Sequence, residues 1–269
     1  MRASLIIPAY NEEERLPGTL AVYEGAMRRR FGDEFEIIVV ANGCVDNTVG
    51  VATEAATASK QIRVIDIKEP VGKGGAVLEG FRQAYGESVL FADADGATAP
   101  ESLLDLVDRL DHYDVVIGSR RMSGSIINQR QPRLRRMFGW SFARTARFLF
   151  GIPFKDTQCG AKGFRRDAAR RLAQVVSETR WTFDLDLLLS AIKLGFSVYE
   201  HPVVWADCAG SRLRYGSTAS EVLRALWVMK ARQLKPLVEL PELPELPELP
   251  AVTMSLEASP GAPQKEVAA

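Results

Sequence analysis

Five short apolar runs, each closed by a polar loop and followed by a stretch of helical periodicity, constrain this chain more than any other feature. They span 4–8, 36–41, 62–67, 89–92 and 114–118. Runs that stay apolar instead of alternating belong to strands covered on both faces, and their alternation with helices builds a mostly parallel sheet. The expected class is α/β, with helices on both faces. In such a sheet the loops leaving the carboxyl ends of the strands share one edge, where ligands collect. Here they read Pro8-Ala9-Tyr10-Asn11-Glu12, Asn42-Gly43-Cys44-Val45-Asp46, Gly72-Lys73-Gly74-Gly75, Asp93-Ala94-Asp95 and Ser119-Arg120-Arg121.

Asn11 reads as the cap of a first helix running through Glu12, Glu13 and Glu14 to Arg28, Arg29 and Arg30, interrupted near its first turn by Pro17 and Gly18. Further helices are expected from about Gly75 to Tyr85 and from Pro100 to Leu110. Residues 123–131 read as polar and mobile. A helix over 132–150 follows, with Leu134, Phe138, Phe142 and Leu149 on one face and Arg133, Arg136, Trp140, Arg144 and Arg147 on the other. A loop and short strand at 156–164, a helix near 184–194, a strand at 197–204 and a helix at 219–234 complete one domain, residues 1–235.

Residues 236–269 are of another kind. Glu-Leu-Pro occurs four times from Glu239 to Pro250, which favours extended polyproline II, and residues 251–269 read as a disordered tail. This tail is expected to be a spacer or a docking segment, without catalysis. It carries six glutamates and one lysine, so a formal charge of zero for the whole chain conceals a body that is net positive by five. Such a body suits phosphorylated ligands or an anionic membrane surface. Three cysteines without metal-ligand spacing fit reduced thiols in a cytoplasmic protein. No apolar run reaches the roughly 18 residues of a membrane span, and with the first strand so near Met1 no signal peptide is expected.

Two loops carry most of the chemistry. Asp93 and Asp95 close a buried strand, a poor place for packing and a good one for holding a divalent cation with the phosphates or ribose of a nucleotide. The glycine turn fits neither known phosphate loop: Ile67 and Gly74 stand where a Walker loop needs glycine and a hydroxyl, and Val77 where the dinucleotide fingerprint needs its third glycine. It can bind an anion through backbone N–H groups and Lys73, or need glycine for conformation alone.

Taken together, the segments 4–12, 39–48 and Asp93-Ala94-Asp95 resemble family 2 glycosyltransferases of the GT-A fold, over about residues 3–215. Asp156-Thr157-Gln158-Cys159-Gly160-Ala161-Lys162 and Asp93-Ala94-Asp95-Gly96-Ala97-Thr98 are similar to the dolichyl-phosphate glucosyltransferase branch. The resemblance implies a Rossmann-like sheet and an inverting, metal-dependent transfer of a hexose, with UDP-glucose the favoured donor and a polyprenyl phosphate the acceptor. Pro8, Tyr10 and Glu12 would border the base and ribose, Asp93 would contact the nucleoside, and Asp95 would hold Mg2+ or Mn2+ on the diphosphate. Gly118-Ser119-Arg120 and Gly210-Ser211-Arg212 resemble the places that hold the acceptor phosphate. Ala41-Asn42 departs from the family's usual pair of aspartates and leaves Asn42 to meet the base.

The acceptor decides whether a base is needed. A phosphate monoester is largely ionised at neutral pH and needs arginines, for which Arg120, Arg121, Arg212 and Arg214 are candidates. A hydroxyl must lose a proton, and Asp184 is then the candidate base; Asp186 reads as an acid placed for the helix dipole. Alternatives are a soluble hydroxyl acceptor, GDP-mannose as donor, or a non-catalytic nucleotide-sugar binding protein. The arginine and tryptophan face of the 132–150 helix suits peripheral contact with the cytoplasmic membrane face. No nucleic-acid module accompanies it.

Overall fold

The computed structural model describes residues 1–129, 133–180, 182–206 and 218–233. The strands are β1 Ala3–Ala9, β2 Phe35–Asn42, β3 Ile62–Ile67, β4 Ser88–Phe91, β5 Val115–Ser119, β6 Ile126–Gln129, β7 Lys162–Arg165, β8 Val198–Pro202 and β9 Val204–Ala206. The helices are α1 Leu16–Phe31, α2 Thr48–Ala58, α3 Gly72–Gln83, α4 Pro100–Arg109, α5 Arg133–Phe150, α6 Arg166–Val175, α7 Phe183–Lys193 and α8 Thr218–Gln233. Seven strands form one sheet in the order β3-β2-β1-β4-β7-β5-β8, parallel except for β7, which runs antiparallel to both β4 and β5.

Period-two alternation sends neighbouring side chains of one strand to opposite faces, and both faces are covered. Leu5, Ile7 and Ile37 pack with Leu16, Leu20 and Tyr23 of α1, Ala52 of α2 and Leu103 and Leu106 of α4. Ile6, Ile38 and Phe91 pack with Val77 and Phe81 of α3, Leu172 of α6 and Leu188 of α7, with Phe142 of α5 and Leu226 of α8 farther out. The chain goes outward from β1 through β2 to β3, then returns to place β4 on the other side of β1. That reversal opens a crevice at the carboxyl ends of β1 and β4, where the Tyr10–Glu12 and Asp93–Asp95 loops lie. At the opposite edge the buried Glu36 carboxylate is fully engaged by Ser4 Oγ, the Tyr85 N–H and Arg63 Nε, at 2.6, 2.8 and 2.8 Å.

Several local expectations need correction. Helix α1 starts at Leu16 with Pro17 in its first turn, not at Asn11. Asn11 adopts a left-handed φ of 57°, and its Oδ1 accepts the Val45 N–H at 2.8 Å, tying the first edge loop to the second. The glycine turn is itself the first turn of α3. Residues 126–129, read as polar and mobile, form β6 and pair with β9. Helix α6 was not anticipated; its buried stripe of Ala168, Ala169, Leu172 and Ala173 is mostly alanine, a weak apolar signal.

Candidate active site

Asp93 follows the end of β4 by two residues and is held from two sides. Its Oδ1 lies 2.6 Å from Lys73 Nζ, on the first turn of α3. Against its Oδ2 stands the backbone of Gly160, where an added Cβ would come within 1.9 Å. Burial works against the Lys73 ammonium, but the charges of Asp93, Asp184 and Asp95 outweigh it and hold its pKa above the ordinary lysine value.

Asp95 is different. Its Oδ1 accepts the Ala97 N–H at 3.0 Å, and it joins no ion pair among the described residues. Burial first, and the charge of Asp93 second, push its carboxyl above the usual range, against the pull of the Ala97 N–H, Arg15 and Lys73. A partly buried carboxylate short of positive charge suits a cation. Among the described residues no cluster of three or more His, Cys, Asp or Glu forms a closed cage. Mg2+ and, by the same hard-ion chemistry, Mn2+ are commonly held by one or two carboxylates with substrate phosphates completing the shell, so this donor set fits.

Within the glycine turn, the Gly74 N–H is not open to an anion. The Gly74 N–H donates to Thr179 O at 2.8 Å. A Cβ on Gly74 would lie 2.5 Å from the Phe183 ring, and one on Gly75 2.7 Å from Val71. Close packing explains these two glycines, and the turn's contribution to the edge is the Lys73 ammonium.

The remaining expected residues are distributed along the same edge. Tyr10 is half exposed at 49% and Pro8 half buried. Glu12 is gripped by Arg15, Nε and Nη2 each 2.6 Å from a carboxylate oxygen, while its N–H donates to Thr48 Oγ1 at 2.7 Å. Asn42 is buried and its Oδ1 accepts the Val71 N–H at 2.8 Å, so it anchors the loop before α3. Arg120 is locked to the buried Asp156, Nε and Nη2 at 2.7 and 2.9 Å, and its own N–H donates to the same carboxylate at 3.0 Å. Burial opposes the Asp156 carboxylate, but Arg120 outweighs it and holds the group well below the ordinary carboxylate range. Arg121 Nη1 reaches Lys155 O at 3.3 Å. Arg212, Arg214 and the 210–212 segment lie outside the described residues, as does the tail.

Asp184 is buried in the first turn of α7, with Oδ1 2.5 Å from Lys162 Nζ and Oδ2 4.0 Å from Lys73 Nζ. Asp186 is also buried, but it faces away from the edge: Arg232 Nη2 lies 2.7 Å from Oδ1, and the Ser177 and Glu178 N–H groups donate to Oδ2. It joins α7 to α8 and needs no dipole explanation. Sequence reasoning overlooked Arg15, whose spacing of three from Glu12 was legible, and the tasks of Gly160, Lys162 and Asp156 in the 156–162 segment.

A parallel sheet broken by one antiparallel strand, with an aspartate pair beside a lysine at the switch point, is the layout of the GT-A fold. Residues 4–173 match the family Glycosyl transferase family 2, and the chain belongs to that family. It is 37% identical over 229 residues to the dolichyl-phosphate beta-glucosyltransferase of Drosophila melanogaster, covering 79% of this chain and 69% of that one. The human dolichyl-phosphate beta-glucosyltransferase is 35% identical over 225 residues, 78% of this chain and 69% of that one. Glycosyltransferase AglD of Haloferax volcanii is 30% identical over 239 residues, 86% of this chain, but the match spans only 38% of AglD. The fold is shared with glucosyl-3-phosphoglycerate synthase from Mycobacterium tuberculosis in complex with Mn2+, UDP and phosphoglyceric acid: TM-score 0.62, 18% identity, 88% of this chain and 80% of that one.

Proposed function

We propose that this glycosyltransferase moves glucose from UDP-glucose onto a polyprenyl phosphate, with inversion at the anomeric carbon and with Mg2+ or Mn2+ bound. The observation that carries the choice of acceptor is the state of Asp184. Its Oδ1 is hydrogen-bonded to Lys162 Nζ at 2.5 Å, its Oδ2 lies 4.0 Å from Lys73 Nζ, and its side chain is buried, so it is held as an ion-pair partner and not poised to take a proton from an acceptor. That favours an acceptor needing no base, which an ionised phosphate is. The names of the similar dolichyl-phosphate beta-glucosyltransferases support the same choice.

Bound at Asp95, the cation would act as a Lewis acid on the diphosphate leaving group. Asp93, fixed by Lys73, would face the nucleoside, with Pro8, Tyr10, Glu12 and Asn42 bordering base and ribose. The anomeric carbon gains oxocarbenium character as the bond to diphosphate lengthens, and the phosphate acceptor attacks from the opposite face. Arg212, and the N–H groups of Arg120 that Asp156 leaves open, would orient that phosphate.

A lipid acceptor needs a surface to arrive from. No described helix is long and apolar enough to cross a membrane. Helix α5 contains five arginines and no acid. It exposes Trp140 and Phe148, at 59% and 88%, beside the neighbouring α8 with Leu223 and Trp227 at 66% and 78%. This pair of helices suits peripheral contact with an anionic, cytoplasmic membrane face.

A donor screen tests the reading. UDP and UDP-glucose should raise Tm with Mn2+ present and lose that effect in Asp95→Ala. Stabilisation by GDP-mannose instead would overturn the donor, and tight binding without turnover of any donor would favour a non-catalytic protein.

A further inference from the structure

Four side chains of alternating charge run inward from the acidic pair. Asp93 meets Lys73 at 2.6 Å, Lys73 stands 4.0 Å from Asp184, and Asp184 meets Lys162 at 2.5 Å. Lys162 is on the antiparallel strand β7, with its side chain wholly buried, and its only other hydrogen-bond partner among the described residues is Cys159 O at 2.7 Å. The two ammonium groups flank one ring: Lys73 Nζ and Lys162 Nζ lie 5.6 and 5.3 Å from the centroid of Phe91. A fully buried lysine carries a large desolvation cost, and packing alone does not require one at this position.

We propose that Lys162 is a positioning residue for the donor site, acting through Asp184 to decide which carboxylate holds Lys73. With Lys162 present, Asp184 is satisfied and Lys73 stays on Asp93. Lys73 then competes with any cation for Asp93, which leaves Asp95 as the metal carboxylate and Asp93 free of metal to face the nucleoside. Without the Lys162 charge, Asp184 is left buried with Lys73 as the nearest ammonium. Closing that 4.0 Å gap draws Lys73 off Asp93. Asp93 and Asp95 then face a cation as a pair. The inference rests on the proposed metal-nucleotide reading of this edge.

The consequence has opposite signs for metal and nucleotide. Lys162→Met, which keeps an unbranched side chain one atom shorter and removes its charge, should tighten Mn2+ binding to the nucleotide-free protein by about tenfold, the low end of what groups behind a metal ligand contribute. It should also weaken UDP binding at saturating Mn2+, because Asp93 has been captured by the cation. Lys162→Met/Asp184→Leu removes the pull on Lys73 and should return both affinities to within about threefold of the wild type. Mn2+ binding is read by electron paramagnetic resonance and UDP binding by calorimetry, with folding checked by circular dichroism. Parallel weakening of both ligands in folded Lys162→Met, or no change in either, overturns the inference. If Lys162→Met does not fold, Lys162→Gln, which removes the charge but can still donate to Asp184, carries the test: tighter Mn2+ binding with weaker UDP binding supports the ladder, and unchanged or jointly weakened affinities overturn it. Wild-type protein that binds no Mn2+ even with UDP would instead sink the metal reading itself.

Discussion

Gly160→Ala is the sharpest steric perturbation the site offers. The added Cβ would stand 1.9 Å from Asp93 Oδ2 and 2.5 Å from its Cγ. Contacts between such atoms are essentially never closer than 3.0 Å, so one partner has to move by about 1 Å. The 159–162 segment cannot easily yield, since Cys159 is buried, Ala161 O accepts the Gly118 N–H at 2.9 Å and Lys162 Nζ ties down Cys159 O at 2.7 Å. Asp93 therefore turns, and its 2.6 Å contact with Lys73 opens. A misplacement of about 1 Å in a positioned group costs on the order of 10²-fold in rate, or about 2.7 kcal/mol of transition-state stabilisation. Overpacking should cost about 1–3 kcal/mol of stability and lower Tm by several degrees. Steady-state kinetics with varied donor, beside a thermal melt, separates the two effects. Folded Gly160→Ala with kcat/KM within about threefold of wild type would refute the claim that Asp93 must be held where it is.

Other outcomes follow from the same geometry. Asp156→Asn leaves the Arg120 guanidinium half-buried without its counter-charge and should cost about 3–5 kcal/mol, read by urea unfolding. Because the folded-state pKa of Asp156 is depressed, its contribution is present above the unfolded value of about 3.9 and is lost as pH falls below it; the variant should therefore show a shallower loss of stability in acid. Asp95 titrates the other way: the fold holds its proton more tightly than the unfolded chain does, so its ionised form reduces stability as pH rises above about 4. Asp95→Asn should thus raise the Tm of metal-free protein at pH 7 while abolishing Mn2+-dependent transfer, and a fall in Tm would contradict the raised pKa. Burial pushes the Cys159 thiol up to about 11, so at pH 8 iodoacetamide should label the half-exposed Cys44 well before Cys159, as site-resolved mass spectrometry would report.

The five parallel strands and their shared loop edge were legible because continuous apolar runs carry their own evidence of two-sided burial. Asp93, Asp95 and Lys73 were legible as residues, but their relation was not: an ion pair between residues twenty apart depends on how α3 meets β4. Glu12-Glu13-Glu14 looked like the first turn of a helix, and only the left-handed Asn11 and its hydrogen bond to Val45 show why the helix waits until Leu16. The antiparallel β7 was hardest to read. It has four residues, two of them charged, and it places a wholly buried lysine where a hydrophobic pattern has no means of expecting one. Arg120 reads in the sequence as a candidate for the phosphate clamp, but its bidentate bond to Asp156, 36 residues away, is a tertiary fact that no spacing reveals.

The most direct test of the account is transfer from radiolabelled UDP-glucose to polyprenyl phosphate and, in parallel, to the corresponding polyprenol, each with Mn2+ or with a chelator. A lipid-linked glucose product is expected from the phosphate alone, abolished by the chelator and by Asp95→Ala. Transfer to the alcohol, or undiminished transfer in the presence of chelator, would contradict it.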